Sequence, residues 1–101
     1  MQYQLKLKVV WCRGFLALAI DQLILNRHYY PLTSYYLWSK TNAWEQLKAE
    51  LNLKPWLNKK EKIEILNLAT EVMNHWLQYR NIQDTKNIKK LFNRVLFINI
   101  N

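Results

Sequence analysis

The chain begins with polar and apolar residues that largely alternate over positions 2–11. A period of two residues with one polar face predicts a half-buried strand. The single glycine of the chain, Gly14, follows shortly after this segment. Because glycine reaches positive φ without steric cost, we predict a tight hairpin turn at Cys12–Gly14. The apolar face of the strand holds Tyr3, Leu5, Leu7, Val9 and Trp11, and the polar face holds Gln2, Gln4, Lys6 and Lys8.

Two further strands are predicted before the pattern changes. Phe15–Gln22 is short and apolar on both faces, which is typical of a central strand that is covered on both sides. Leu23–Pro31 is predicted to be a connection with polar residues at its tip. Leu32–Trp38 is rich in β-formers and is predicted to be a third strand. Pro31 fits at the start of that strand, where no ladder donor is needed.

From Asn42 onward the apolar residues recur at helical spacing, as in Trp44, Leu47 and Leu51. Asn42 can cap this helix, with Glu45 three residues later. The helix should end near Lys54, since the residue before a proline is disfavoured in the α region.

Asn58 and Glu61 repeat the capping pattern, which predicts a longer helix that ends near Tyr79. A third helix is predicted over Lys86–Val95, whereas Leu96–Asn101 is compatible with a strand, a helix or a tail. The predicted class is therefore α+β: a small antiparallel sheet of about three strands, two helices packed on it, and a basic C-terminal helix or arm. We expect residues 1–79 to form the core domain and residues 80–101 to form a basic extension.

The charge is concentrated at the two ends of the chain. The net charge is +8 over 101 residues. Residues 1–13 carry three basic residues and no acidic one, and residues 79–101 carry five basic residues and one acidic one. The segment between them is nearly neutral, with seven basic and six acidic residues. This distribution favours a polyanionic partner, either nucleic acid or an anionic membrane surface.

Two local features have both a functional and a structural interpretation. Lys59, Lys60 and Lys62 lie in a predicted first helical turn, where positive charge opposes the helix dipole. A phosphate at the helix N-terminus would explain them, and so would simple solvation. The tryptophans are favoured as packing residues, and Tyr29 and Tyr30 are better candidates for stacking on unpaired bases.

The sequence contains no recognisable catalytic or metal-binding pattern. It has no glycine-rich phosphate loop and no nucleophile elbow. Cys12, His28 and His75 are too few and too scattered for a zinc site. We interpret His75 as a helix-surface residue and Asp21 as a carboxylate that caps or pairs with a nearby backbone donor. No run of residues resembles a membrane span or a signal peptide. We therefore expect no enzyme activity, no cofactor and no small-molecule substrate.

An ordered set of short motifs resembles the plastid-specific small-subunit ribosomal protein 3 family of chloroplasts and cyanobacteria. The resemblance spans roughly residues 7–78. Its segments are Ala19-Ile20-Asp21-Gln22, Pro31-Leu32-Thr33, Tyr35-Tyr36-Leu37-Trp38, Ala43-Trp44-Glu45-Gln46-Leu47, Lys54-Pro55-Trp56-Leu57 and the run from Glu64 to Trp76.

The resemblance implies a structural component of the plastid small ribosomal subunit, bound to 16S-type rRNA and to neighbouring ribosomal proteins, with no membrane partner. The codon bias implied by abundant Asn, Lys, Ile and Tyr fits an AT-rich organellar genome, and no transit peptide precedes the first strand. We therefore expect a plastid-encoded protein of the chloroplast stroma. A separate RNA-binding regulator and a small protein–protein adaptor are the alternatives. From charge and expected exposure, the candidate RNA contacts are Lys6, Lys8, Arg13, Arg27, Lys59, Lys60, Lys86, Lys89, Lys90 and Arg94.

Overall fold

The alternating segment at the start of the chain forms strand β1, Gln4–Trp11. The structure is a computed structural model, and it describes residues 4–24, 28–38, 42–79 and 85–100. It pairs antiparallel with β2, Leu16–Ile24. The amide of Cys12 donates to the carbonyl oxygen of Phe15 at 3.1 Å and closes the predicted hairpin. Gly14 lies outside the left-handed region of φ, so the turn forms without the positive φ that was expected of it.

The outer edge of β2 carries two short strands instead of one. β3, His28–Pro31, pairs with Asp21–Ile24, and β4, Tyr36–Trp38, pairs with Leu16–Leu18. The prediction of a plain connection over Leu23–Pro31 was therefore wrong, as was that of a continuous strand over Leu32–Trp38.

Thr33 separates the two strands. Its amide donates to the carbonyl oxygen of Ile20 at 3.2 Å, and its hydroxyl accepts from the amide of Ile20 at 2.9 Å. The side chain thus replaces the strand partner that Ile20 would otherwise need, and the regular ladder is interrupted at this point.

The two main helices lie close to their predicted positions. α1 spans Ala43–Asn52, and α2 spans Lys59–Tyr79. The side chain of Asn42 accepts a hydrogen bond from the amide of Glu45 at 3.2 Å, which confirms the predicted cap. Asn58 caps α2 in the same way.

The C-terminal segment differs from the prediction. α3 spans only Thr85–Leu91, and the amide of Val95 then bonds to the carbonyl oxygen of Phe92 at 3.0 Å in a turn. Residues Val95–Ile100 form β5, which pairs in parallel with Leu7–Trp11 of β1. Within the described ranges the sheet has five strands in the order β3-β2-β1-β5, with β4 also on β2, and it is mixed. The prediction of an antiparallel sheet of about three strands is only partly matched. β1 to β4 pair antiparallel as expected, but the last strand returns in parallel to the free edge of β1.

One face of the sheet and all three helices enclose a single core. Its buried residues include Leu7, Val9 and Trp11 of β1, Leu16, Leu18 and Ile20 of β2, Trp76 of α2, and Ile88. The α+β class is confirmed. The division into a core and a basic extension at residue 80 stays a prediction, although Phe92 and Val95 belong to the same core.

Candidate nucleic-acid interface

Basic residues from both ends of the chain meet at one end of the sheet. A cleft of about 280 Å³ lies where β1 begins, α2 begins and β5 begins. Lys6 and Arg94 both line this cleft, although they are far apart in sequence. The complete lining is Gln4, Leu5, Lys6, Glu61, Glu64, Ile65 and Arg94.

The first turn of α2 adds two lysines beside this cleft. Lys59 and Lys60 are exposed and directly precede Glu61. The side-chain oxygen of Asn58 accepts hydrogen bonds from the amides of Lys60 and Glu61, at 2.8 and 3.3 Å. Those two amides are therefore occupied by the helix's own cap, so Lys60 can attract a phosphate only through its charged side chain.

Two carboxylates give the cleft mixed charge. Burial and repulsion from Glu64 both raise the pKa of Glu61, with burial the larger cause. Among the described residues neither carboxylate takes part in an ion pair. The negative charge at this position weakens the attraction of the surrounding cations for a polyanion.

Lys8 has a structural role. Its Nζ lies 2.7 Å from Oδ1 of Asp21, and both side chains are largely buried. The same ammonium lies 5.1 Å from the centre of the Tyr35 ring. Asp21 is therefore paired, but with a lysine side chain and not with the backbone donor that was predicted. The pair neutralises the charge that Lys8 would bring to RNA.

The remaining candidates are more widely distributed. Arg13 is exposed in the hairpin turn, at the opposite end of β1 from Lys6. Lys89 and Lys90 are exposed on α3. Arg27 and the side chain of Lys86 lie outside the described residues. Lys6 and Arg94 line the cleft, and Lys59 and Lys60 directly precede Glu61, which also lines it. We call these four residues the cationic cluster.

The aromatic residues divide into buried and exposed sets. Trp11 and Trp76 are fully buried, and Trp38 and Trp44 are partly buried against the core, as predicted for packing residues. Trp56 is 56% exposed, so the packing interpretation was wrong for this residue. Tyr29 and Tyr30 are about half exposed, as candidates for stacking must be, but they lie on β3 and not in a loop.

His75 is not a simple surface residue. Its ring lies 6.2 Å from that of Trp11 and 5.4 Å from that of Phe92, measured between ring centres. Burial lowers the pKa of His75.

The described ranges contain no group of three metal-ligating side chains that could hold an ion. Within those same ranges no helix is both long enough and apolar enough to cross a membrane.

Comparison with known proteins identifies a family. The family profile described as "Plastid and cyanobacterial ribosomal protein (PSRP-3 / Ycf65)" matches residues 32–79, which hold β4, α1 and α2. Small ribosomal subunit protein cS23 of Gracilaria tenuistipitata var. liui is 42% identical over 94 residues. That match covers 93% of this chain and 94% of the relative, so it includes strands outside the profile.

Two other relatives come from different lineages. The probable small ribosomal subunit protein cS23 of Synechococcus sp. (strain JA-2-3B'a(2-13)) is 47% identical over 69% of this chain and 70% of its own length. Small ribosomal subunit protein cS23z of Arabidopsis thaliana is 40% identical over 71% of this chain, but the match covers only 43% of the plant protein.

Proposed function

Because the chain belongs to the PSRP-3/Ycf65 family of plastid and cyanobacterial ribosomal proteins, we propose that it holds small-subunit rRNA through its cationic cluster. Membership of this family makes the chain a structural constituent of the small ribosomal subunit. Its relatives are named after that subunit. The cluster supplies four cations from β1, the first turn of α2 and the turn before β5, and the meeting of these segments at one cleft supports the proposal.

The expected binding is electrostatic and directed by shape. Lysine and arginine bind phosphate oxygens without reading sequence, and the release of counterions makes the affinity fall as salt rises. Arg13, Lys89 and Lys90 are exposed cations outside the cluster and can contact further phosphates. We assign Lys8 no RNA contact, because its charge is already paired with Asp21.

Binding to purified small-subunit rRNA over a series of salt concentrations tests this assignment. The variant Lys59→Gln/Lys60→Gln should bind more weakly, and its salt slope should be shallower by about 1 for each phosphate that is no longer neutralised. Glu64→Gln should act in the opposite direction, because it removes a repulsive charge from the same cleft.

Lys48→Gln is the matched control for the single variant Lys60→Gln, since Lys48 is an exposed lysine on α1 and does not line the cleft. It should leave both the affinity and the slope nearly unchanged. Equal weakening by Lys48→Gln and Lys60→Gln would mean that only net charge matters, and the cluster assignment would then fail.

The family places the chain in ribosomes of the plastid and cyanobacterial type. We further propose that it works in the chloroplast stroma, is encoded in the plastid, and carries out no catalysis. An amino-acid composition typical of AT-rich genomes supports plastid encoding. Hybridisation of its coding sequence to purified plastid DNA and to nuclear DNA distinguishes the two origins. A nuclear signal only would overturn plastid encoding.

A further inference from the structure

Two half-exposed aromatic residues are neighbours of one buried side chain, that of Gln22. Tyr30 of β3 is the strand partner of Gln22, and directly opposed residues of an antiparallel pair project to the same face of the sheet. Trp56 lies in the connection between α1 and α2, and its indole nitrogen donates to Oε1 of Gln22 at 3.4 Å. Both aromatic residues therefore lie on the helix side of the sheet, and we call them the aromatic pair.

Packing does not account for the aromatic pair. Tyr30 and Trp56 are 51% and 56% exposed, and neither belongs to the hydrophobic core. Gln22, in contrast, is 4% exposed. Because an indole nitrogen can only donate, the hydrogen bond to Gln22 orients the edge of the Trp56 ring while more than half of the side chain stays accessible.

The aromatic pair adjoins the cationic cluster. Leu5, which lines the cleft, pairs with Gln22 from the other side of β2, so Leu5, Gln22 and Tyr30 form one row across three strands. Two strand spacings separate the ends of this row by roughly 10 Å. Trp56 precedes Lys59 by three residues, which span at most about 11 Å of backbone. Exposed rings and exposed cations therefore lie on neighbouring parts of one surface.

This combination is the one that proteins use to bind unpaired RNA. Cationic side chains hold the phosphates, while the bases stack on aromatic rings. A regular duplex keeps its bases stacked on one another, so it offers phosphates to the lysines but no free base to the rings.

We propose that the aromatic pair stacks on an unpaired base of the rRNA whose backbone the cationic cluster holds. The inference rests on the function proposed above and deepens it, because it assigns the bound element to a loop, a bulge or a strand end. Stacking tolerates any of the four bases, so the site selects unpaired structure and not a particular sequence.

Ring-removing substitutions test the proposal in binding to purified small-subunit rRNA. Trp56→Leu and Tyr30→Leu keep an apolar side chain but remove the ring, and each should lower the affinity roughly five- to 150-fold. The dependence of affinity on salt should keep its slope, because no cation is lost. Trp56→Phe and Tyr30→Phe should retain most of the affinity, since each keeps a ring.

Tyr29→Leu is the matched control. Tyr29 is 47% exposed and directly precedes Tyr30 on β3, so its side chain projects to the opposite face of the sheet. It should leave the affinity nearly unchanged. Unchanged affinity in both ring-removing variants would overturn the proposal, as would equal weakening by Tyr29→Leu or by the phenylalanine variants.

Tryptophan fluorescence gives an independent measurement. Trp11 and Trp76 are buried, and Trp38 and Trp44 are partly buried, so Trp56 is the tryptophan most accessible to rRNA. A base stacked on its ring should quench its emission. Saturation with rRNA should therefore quench the unsubstituted chain more than Trp56→Phe. Equal fractional quenching of the two proteins would contradict stacking at this ring.

The two proposals can fail separately. Unchanged binding and an unchanged salt slope in Lys59→Gln/Lys60→Gln would contradict the cationic cluster itself. Weakened binding in that variant, with normal binding in the ring-removing variants, would overturn the aromatic pair alone. Normal affinity for rRNA but reduced occupancy of Trp56→Leu in salt-washed small subunits would assign the ring to a protein neighbour, which would also overturn stacking.

Discussion

The indole nitrogen of Trp76 donates a hydrogen bond to the carbonyl oxygen of Cys12, at a distance of 2.7 Å. The bond joins the last turns of α2 to the end of β1, just before the hairpin turn. Trp76 is completely buried, so water cannot replace this bond. The contact therefore fixes where the long helix lies along the sheet.

Trp76→Phe should lower the free energy of unfolding by about 1–3 kcal/mol, because it keeps a ring but leaves the Cys12 carbonyl without this donor. Trp76→Ala should cost more, about 3–5 kcal/mol, since it also leaves a cavity. Urea denaturation measures both. Trp56→Phe is the control, because its 3.4 Å bond is made by an exposed indole, and it should change stability by under about 0.5 kcal/mol. Equal effects at positions 56 and 76 would contradict this role of the hydrogen bond.

Thr33→Val should destabilise the protein by about 1–3 kcal/mol. The substitution keeps the shape of the side chain but leaves the buried amide of Ile20 without its 2.9 Å acceptor. Thr33→Ser keeps the hydroxyl and should retain most of the stability. Thermal unfolding of the two variants separates the contribution of the hydroxyl to stability from that of the methyl group. If serine were as damaging as valine, packing of the methyl group would be the dominant contribution.

Gly14→Ala should be tolerated, and it should stabilise the protein by about 0.4–1 kcal/mol. The φ angle of Gly14 is not in the left-handed region, and an added Cβ would meet no atom within 4 Å. Alanine then reduces the conformational entropy of the unfolded chain without straining the turn. Equilibrium unfolding measures the change against the unsubstituted protein. A clear loss of stability in Gly14→Ala would show that the turn needs glycine.

Stability should decrease as the pH falls below the usual pKa of histidine, near 6.5, because burial between aromatic rings lowers the pKa of His75. The unfolded chain then binds a proton that the folded chain resists, so acid favours unfolding. The stabilisation is complete above pH 6.5 and is lost as the pH falls through the lowered pKa. His75→Gln should flatten this part of the profile of unfolding free energy against pH. A profile with the same slope in both proteins would assign the effect to other groups.

The sequence predicted the helices best, because their caps and apolar spacing are local. Asn42 and Asn58 lie at helix starts, and Pro55 follows the end of α1. The edge of β2 was harder to predict, since Thr33 interrupts it through a tertiary hydrogen bond to Ile20. β5 could not be assigned, because its pairing with β1 depends on residues far away in sequence.

The difference between local signals and long-range contacts also decides what could be predicted of the candidate interface. Charge and expected exposure correctly indicated Lys59, Lys60 and Arg94 as exposed cations. They did not indicate that the charge of Lys8 would be neutralised by an ion pair with Asp21, because that pairing depends on the register of β1 against β2. Nor could they indicate that Lys6 and Arg94 share one cleft, since only the return of the chain into β5 brings them together.

During synthesis, the edge of β1 that β5 covers stays open until residues 95–100 have left the ribosome. A nascent chain emerges at about 5–20 residues per second, so the hairpin and both main helices can form well before that edge is closed. Until then, Leu7–Trp11 offers unpaired backbone groups to any other extended chain. A chain cut short before Val95 would keep that edge exposed, and such products should be prone to aggregation and to capture by chaperones and proteases.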